Sequence, residues 1–228
     1  MRTIKAMTSM LLAGIATQSA TAQTILLDVG HSLAAPGSTA ASGATEFSYN
    51  RALALEVART MRARGWRVVM PNADGSMRSL AARPAAASAA KANLFLSIHH
   101  DAIQAQYVPY RERFSGYSVW ASGAHPAAAR SRVCADAIGR SMAEGGMRPA
   151  LYHAERIPGE SRDLQDASTG RYRRDDLAVL RLSKTPAVLV EAGVIVNPNE
   201  EAWLARPDVR AGIAARIVDG VARCLASR

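Results

Sequence analysis

At 228 residues the chain is long enough for one α/β domain and too short for two catalytic domains with a linker. Hydrophobic residues make up 49% of it, which supports a packed core and excludes a disordered chain. The formal net charge of +9 suits an anionic partner or a solvated Arg-coated surface, but with aromatics at only 5% and no aromatic-interleaved basic run, a single-strand nucleic-acid platform is excluded.

Residues 1–22 form a segment of their own. Arg2 and Lys5 give a positive start, Ala6 to Thr17 is mostly apolar and uncharged, and Ala20-Thr21-Ala22 has the small-x-small pattern of a cleavage site. This is the layout of a secretory signal peptide, and its apolar stretch is shorter than the roughly 20 residues of a spanning helix. Residues 1–22 are expected to be removed and residues 23–228 exported, without stable membrane insertion. Removing Arg2 and Lys5 lowers the net charge from +9 to +7. Export makes nucleic acid an improbable partner and leaves anionic lipid or an anionic wall polymer. In an oxidising compartment Cys134 and Cys224 either pair or stay as buried thiols, and spacing does not choose between these.

The mature chain opens on TILLDV (24–29), a buried strand that ends at Gly30-His31. After a Ser-, Ala- and Gly-rich loop, a helix is predicted from Thr45 as N-cap, with Leu53, Ala54, Val57, Ala58 and Met61 at helical spacing and Gly65 as its stop. WRVVM (66–70) reads as a strand, Met77–Ala92 as an Ala-rich helix bent near Pro84, and LFLSI (94–98) as a strand. GYSVWAS (116–122) is a further strand, and 125–143 a helix. From Gly145 to Arg174 no period is evident, as in a lid or binding loop or a surface excursion. LAVLRL (177–182) and AVLV (187–190) both read as strand-like runs, and Pro207 to Leu225 as an amphipathic helix. Strands alternating with helices predict a single α/β domain, a mostly parallel twisted sheet with helices on both faces.

Polar groups collect at one edge of that sheet. Three apolar strands run out onto His31, His99 and Glu191, and parallel strands bring their carboxyl ends together, where ligands bind in open α/β sheets. Glu46 opens the first helix and starts from the same edge. Two imidazoles and a carboxylate suit zinc with a fourth position left for water, and a second carboxylate could then take a proton from that water. Spacing alone does not decide which of Glu46 and Glu191 takes which role. In the paired histidines of SIHHDA (97–102), strand alternation sends His99 and His100 to opposite faces, so one ion does not use both alike.

Four blocks in order resemble the zinc-dependent N-acetylmuramoyl-L-alanine amidases: LLDVGH, EFSYNRALALEVA, LFLSIHHDA and PAVLVEAGVIVNPNEE. The resemblance runs from about Ile25 to the C-terminal helix. It implies an exported enzyme that cuts the bond between the lactyl group of muramic acid and the L-alanine of peptidoglycan, in the periplasm of a Gram-negative source or otherwise outside the cell. It implies that His31, Glu46 and His99 hold Zn2+, and that Glu191 is the catalytic base. The chain departs from the family in lacking an Asp-Pro-Gly soon after His31, and in carrying His100 and Asp101 where Ala and Asn are usual. The sequence contains neither a separate wall-binding segment nor the long helix that follows the second histidine in regulated division amidases. A minimal catalytic domain is therefore expected, with any activator unknown. Two other readings are a zinc carboxypeptidase-like peptidase and a non-catalytic peptidoglycan-binding protein on the same fold. The PAVLVEAG block disfavours the first, and the presence of all four site residues disfavours the second.

Overall fold

The structure, a computed structural model, describes residues 22–156, 158 and 161–227. The expected export segment, apart from Ala22, lies outside the described residues. The elements follow in the order β1 (Thr24–Val29), α1 (Glu46–Ala63), β2 (Arg67–Val69), α2 (Ala82–Ala89), β3 (Leu94–Asp101), β4 (Ser118–Ala121), α3 (Ala128–Glu144), β5 (Asp163–Asp166), β6 (Arg171–Arg173), α4 (Ala178–Arg181), β7 (Ala187–Val194), α5 (Pro198–Leu204) and α6 (Pro207–Ala226).

The strands form one seven-stranded sheet in the order β2-β1-β3-β7-β4-β6-β5. β2, β1, β3 and β7 are mutually parallel; β4 runs antiparallel to β7, and β5 antiparallel to β6. Because β1, β3 and β7 are central, both their faces are buried, which explains their nearly continuous apolar runs. Ile25, Leu27, Leu96, Ile98 and Val190 pack under α1, α3 and α6, while Leu26, Phe95 and Leu189 pack under the α2 and α4 side with Trp120 and Tyr172. The expected α/β layering, with helices on both faces, is what the chain adopts.

Three local expectations change. LAVLRL is not a strand: its residues 178–181 form the short helix α4, and Val179 and Leu180 turn into the second core. Six apolar-rich residues carry too little period to separate a buried strand from a buried helical turn. The Ala-rich helix is confined to Ala82–Ala89, so Pro84 sits in its first turn, where a missing N–H costs nothing, and not at a bend. The 145–174 stretch contains a 3-10 turn at Tyr152–Ala154 and the strands β5 and β6, which extend the sheet edge. Between β3 and β4, residues 105–113 form 3-10 turns around Pro109. Among the described residues no helix is long and apolar enough to cross a membrane.

Cys134 of α3 and Cys224 of α6 are bonded, with their Cα atoms 4.8 Å apart and a sequence separation of 90. A link across so long a loop restricts the unfolded chain strongly. Replacing both cysteines by alanine should lower the unfolding free energy by about 2–5 kcal/mol, read from guanidinium titration of the oxidised protein. An unchanged midpoint would show that the link contributes nothing.

Candidate metal centre

His31 stands two residues past the end of β1, with a backbone φ of +67°. That left-handed conformation is uncommon for a residue with a Cβ and persists only where its surroundings hold it. Here they do. The buried Asn72 donates to the carbonyls of Val29 (2.6 Å) and His31 (2.8 Å). The buried Arg83 guanidinium donates to Val29 O (2.8 Å) and to His31 O, and pairs with Asp28 at 3.0 Å. Ser97 adds a hydrogen bond to Asp28 (2.7 Å). Burial pushes the Asp28 carboxyl above the ordinary range despite Arg83, whose charge pulls it the other way. This scaffold lies beneath the site, so the chain leaves β1 with its histidine turned toward β3.

Glu46 is the first residue of α1, whose N-cap Thr45 accepts from Ser48 N–H. A carboxylate suits the positive end of a helix, and the loop returns to support it, with Ser38 N–H donating to Oε2 at 3.2 Å. His31 Nε2 lies 3.0 Å from Glu46 Oε2, and His99 Nδ1 3.1 Å from Glu46 Oε1. The two rings meet edge to face, 5.0 Å between centroids. One ligating atom from each of these three residues lies within 4.8 Å of the others, so His31, Glu46 and His99 form a compact donor set of two nitrogens and an anionic oxygen. That composition fits zinc. Space is kept for it by two glycines: a Cβ at Gly30 would fall on the His99 ring, and one at Gly37 would lie 2.5 Å from Glu46 Oε2. Burial opposes charge on Glu46, but hydrogen bonds from both histidines outweigh it and hold the carboxyl far below its usual range. Glu46 therefore stays anionic.

Glu191 lies in β7 directly across from His99 in the parallel ladder, and opposite Ser118 on β4. Both β3 and β7 run two or three residues past these positions, so the polar groups project from within the strands and not from their last residues. The Oε2 atom of Glu191 is buried and accepts no hydrogen bond from the described residues. Burial pushes its carboxyl well above the ordinary range, and the negative charges of Asp101 and Glu46 add to the effect. The two carboxylates are thus separated by environment: one held ionised between histidines, the other poised to hold a proton.

A cleft of about 420 Å³ opens over His31, His99 and Glu191, with Trp120 on its wall and Arg162 and Arg174 also lining it. Asp101 draws the 145–174 stretch onto this cleft, accepting from Tyr152 Oη–H and from His153 Nε2 (2.6 Å). All four residues singled out in the sequence meet at one place. Asn72 and Arg83 were not legible there: each is recruited from a segment with no site-like pattern, and Arg83 left a trace only as a charge inside an otherwise apolar helix. His153 lies in the 145–174 stretch read as a lid or binding loop, but its partner Asp101 was not legible.

A family model described as N-acetylmuramoyl-L-alanine amidase matches residues 25–223. The amidase AmiC of Neisseria meningitidis is 28% identical over 218 residues, covering 87% of this chain and 52% of AmiC. The probable cell wall amidase LytH of Staphylococcus aureus is 27% identical over 201 residues, covering 87% of this chain and 57% of LytH. The chain thus spans about half the length of the curated relatives it matches. Among solved structures, the N-acetylmuramyl-L-alanine amidase Ami1 of Mycobacterium smegmatis superposes with a TM-score of 0.76 at 25% identity, over 90% of this chain and 98% of that one.

Removing the guanidinium beneath His31 tests the scaffold. Arg83→Met strips Asp28 of its buried partner and should cost about 3–5 kcal/mol in urea unfolding. A loss below about 1 kcal/mol, the scale of an exposed pair, would contradict it.

Proposed function

The chain belongs to the N-acetylmuramoyl-L-alanine amidase family, and from that premise we propose that it hydrolyses the amide between N-acetylmuramic acid and the L-alanine of the peptidoglycan stem peptide. The observation that carries this reading is the convergence of His31, Glu46 and His99 on one point, with Glu191 next to His99 in the ladder. In this reading His31, Glu46 and His99 hold zinc, which when bound supplies Lewis-acid activation of the water and the scissile carbonyl. Glu191 accepts the proton of the attacking water as the C–O bond forms. It then delivers that proton to the amide nitrogen as the C–N bond breaks, releasing the stem peptide with a free amino terminus. Burial supports this role, since a carboxyl pushed upward holds a proton more readily between the two steps.

Residues 1–22 serve as an export signal, and residues 23–228 as the catalytic domain acting outside the cytoplasm. The net positive charge of the chain suits an anionic wall polymer. Arg162 and Arg174 on the cleft supply local cationic groups for such a substrate.

Incubating purified protein and zinc with intact sacculi should release stem peptides that begin with L-alanine. Shortened stems still joined to glycan would instead identify a peptidase, and retained binding without release a non-catalytic wall protein. Glu191→Gln should bind zinc stoichiometrically while turnover falls by about 100-fold or more, the scale of a lost general base; full activity in that variant would remove Glu191 from the chemistry. His99→Ala should abolish stoichiometric zinc binding measured by equilibrium dialysis, and retention of bound zinc would disprove the ligand assignment.

A further inference from the structure

His100 is the histidine of the SIHHDA stretch that the proposed chemistry does not use. The residue is 4% exposed, on the opposite face of β3 from His99, under α1. His100 Nδ1 lies 2.8 Å from Asn50 Oδ1. Asn50 is itself fully buried, one turn along α1 from Glu46, and its Nδ2 donates to Glu46 Oε1 (3.1 Å) and to Gly30 O (3.3 Å).

The donor and acceptor inventory makes this arrangement one-way. A carboxylate and a backbone carbonyl only accept, so both hydrogens of the Asn50 amide are committed to Glu46 and Gly30. Asn50 Oδ1 must then accept, and Nδ1 of His100 must carry the hydrogen. Rotating the Asn50 amide by half a turn would set its oxygen against two acceptors. The His100 ring is steadied in turn by an edge contact with Tyr49, whose hydroxyl donates to Glu201 (2.7 Å). Glu201 also accepts from Ser42 N–H in the loop that leads to Glu46 (2.9 Å).

We propose that His100 is a positioning residue for Glu46: by donating to Asn50 it fixes the amide that aims Glu46 Oε1, and so raises the zinc affinity of the His31–Glu46–His99 site. The inference rests on the metal reading given above. Without the His100 donor the Asn50 amide loses its orientational lock, and Glu46 gains freedom that zinc binding must then remove.

Zinc dissociation constants measured by competition with a chromogenic chelator test this directly, with thermal unfolding of the metal-free proteins as the control for folding. His100→Ala should keep one zinc per chain but bind it about 10-fold more weakly, at the lower end of the 10–100-fold range for outer-sphere partners. His100→Asn, whose amide N–H stands where Nδ1–H stood, should return affinity to near the wild-type value. His100→Phe retains the volume without the donor and should be as weak as His100→Ala; it replaces that variant if the smaller side chain prevents folding. Adding His100→Ala to Asn50→Ala should weaken binding no further than Asn50→Ala alone. Wild-type affinity in both His100→Ala and His100→Phe, or no recovery in His100→Asn, overturns the positioning role. Wild-type protein that binds no zinc overturns the metal reading itself, and this inference with it.

Discussion

The site depends on how the chain leaves β1. A strand that ends in the centre of a sheet presents carbonyls that have lost their ladder partners, and leaving such groups unpaired in a buried place costs about 1–3 kcal/mol each. Here Arg83 and Asn72 take the carbonyls of Val29 and His31 together, and Asp28 with Ser97 balances the guanidinium below. The backbone is thereby held in the left-handed turn that sends the His31 ring across to Glu46. A buried ion pair is a poor source of net stability, because desolvating both charges offsets their attraction. Its value here lies in direction: several donors in a rigid fork settle one backbone geometry.

Around that turn the fold separates two carboxylates that the chain presents on similar terms. Glu46 sits at a helix N-terminus between two imidazoles and stays ionised, which suits a ligand for a cation. Glu191 lies on a central strand, with Oε2 buried and the charges of Asp101 and Glu46 nearby, so its proton is held more firmly. The difference follows from the solvation and the neighbours of each group, not from its chemistry. The proposed division of roles rests on this difference.

Legibility varied with the length and regularity of the pattern. The helix from Thr45 was readable because Thr45, Glu46 and five core positions agree over eighteen residues. β1, β3 and β7 were readable because strands buried on both faces carry long, nearly continuous apolar runs. LAVLRL was not, being too short for its period to count, and β5 and β6 were not, because strands of four and three residues rich in charged side chains resemble a loop. The Asp101–His153 contact was hidden by the sequence separation of 52 between its partners.

By itself the sequence determined the α/β layering and that His31, Glu46, His99 and Glu191 gather in one place, since apolar runs leading onto His31, His99 and Glu191, with Glu46 at a helix start, come together at one edge of a parallel sheet. It also determined that His99 and His100 part company, because alternation along a strand is a local property. Tertiary structure alone decided what each then meets. Asn50 joins His100 to Glu46, Arg83 crosses from α2 to the end of β1, and Cys134 reaches Cys224 over 90 residues. Such contacts join segments distant in the chain, and no local pattern of residue types specifies which buried donor will face which acceptor.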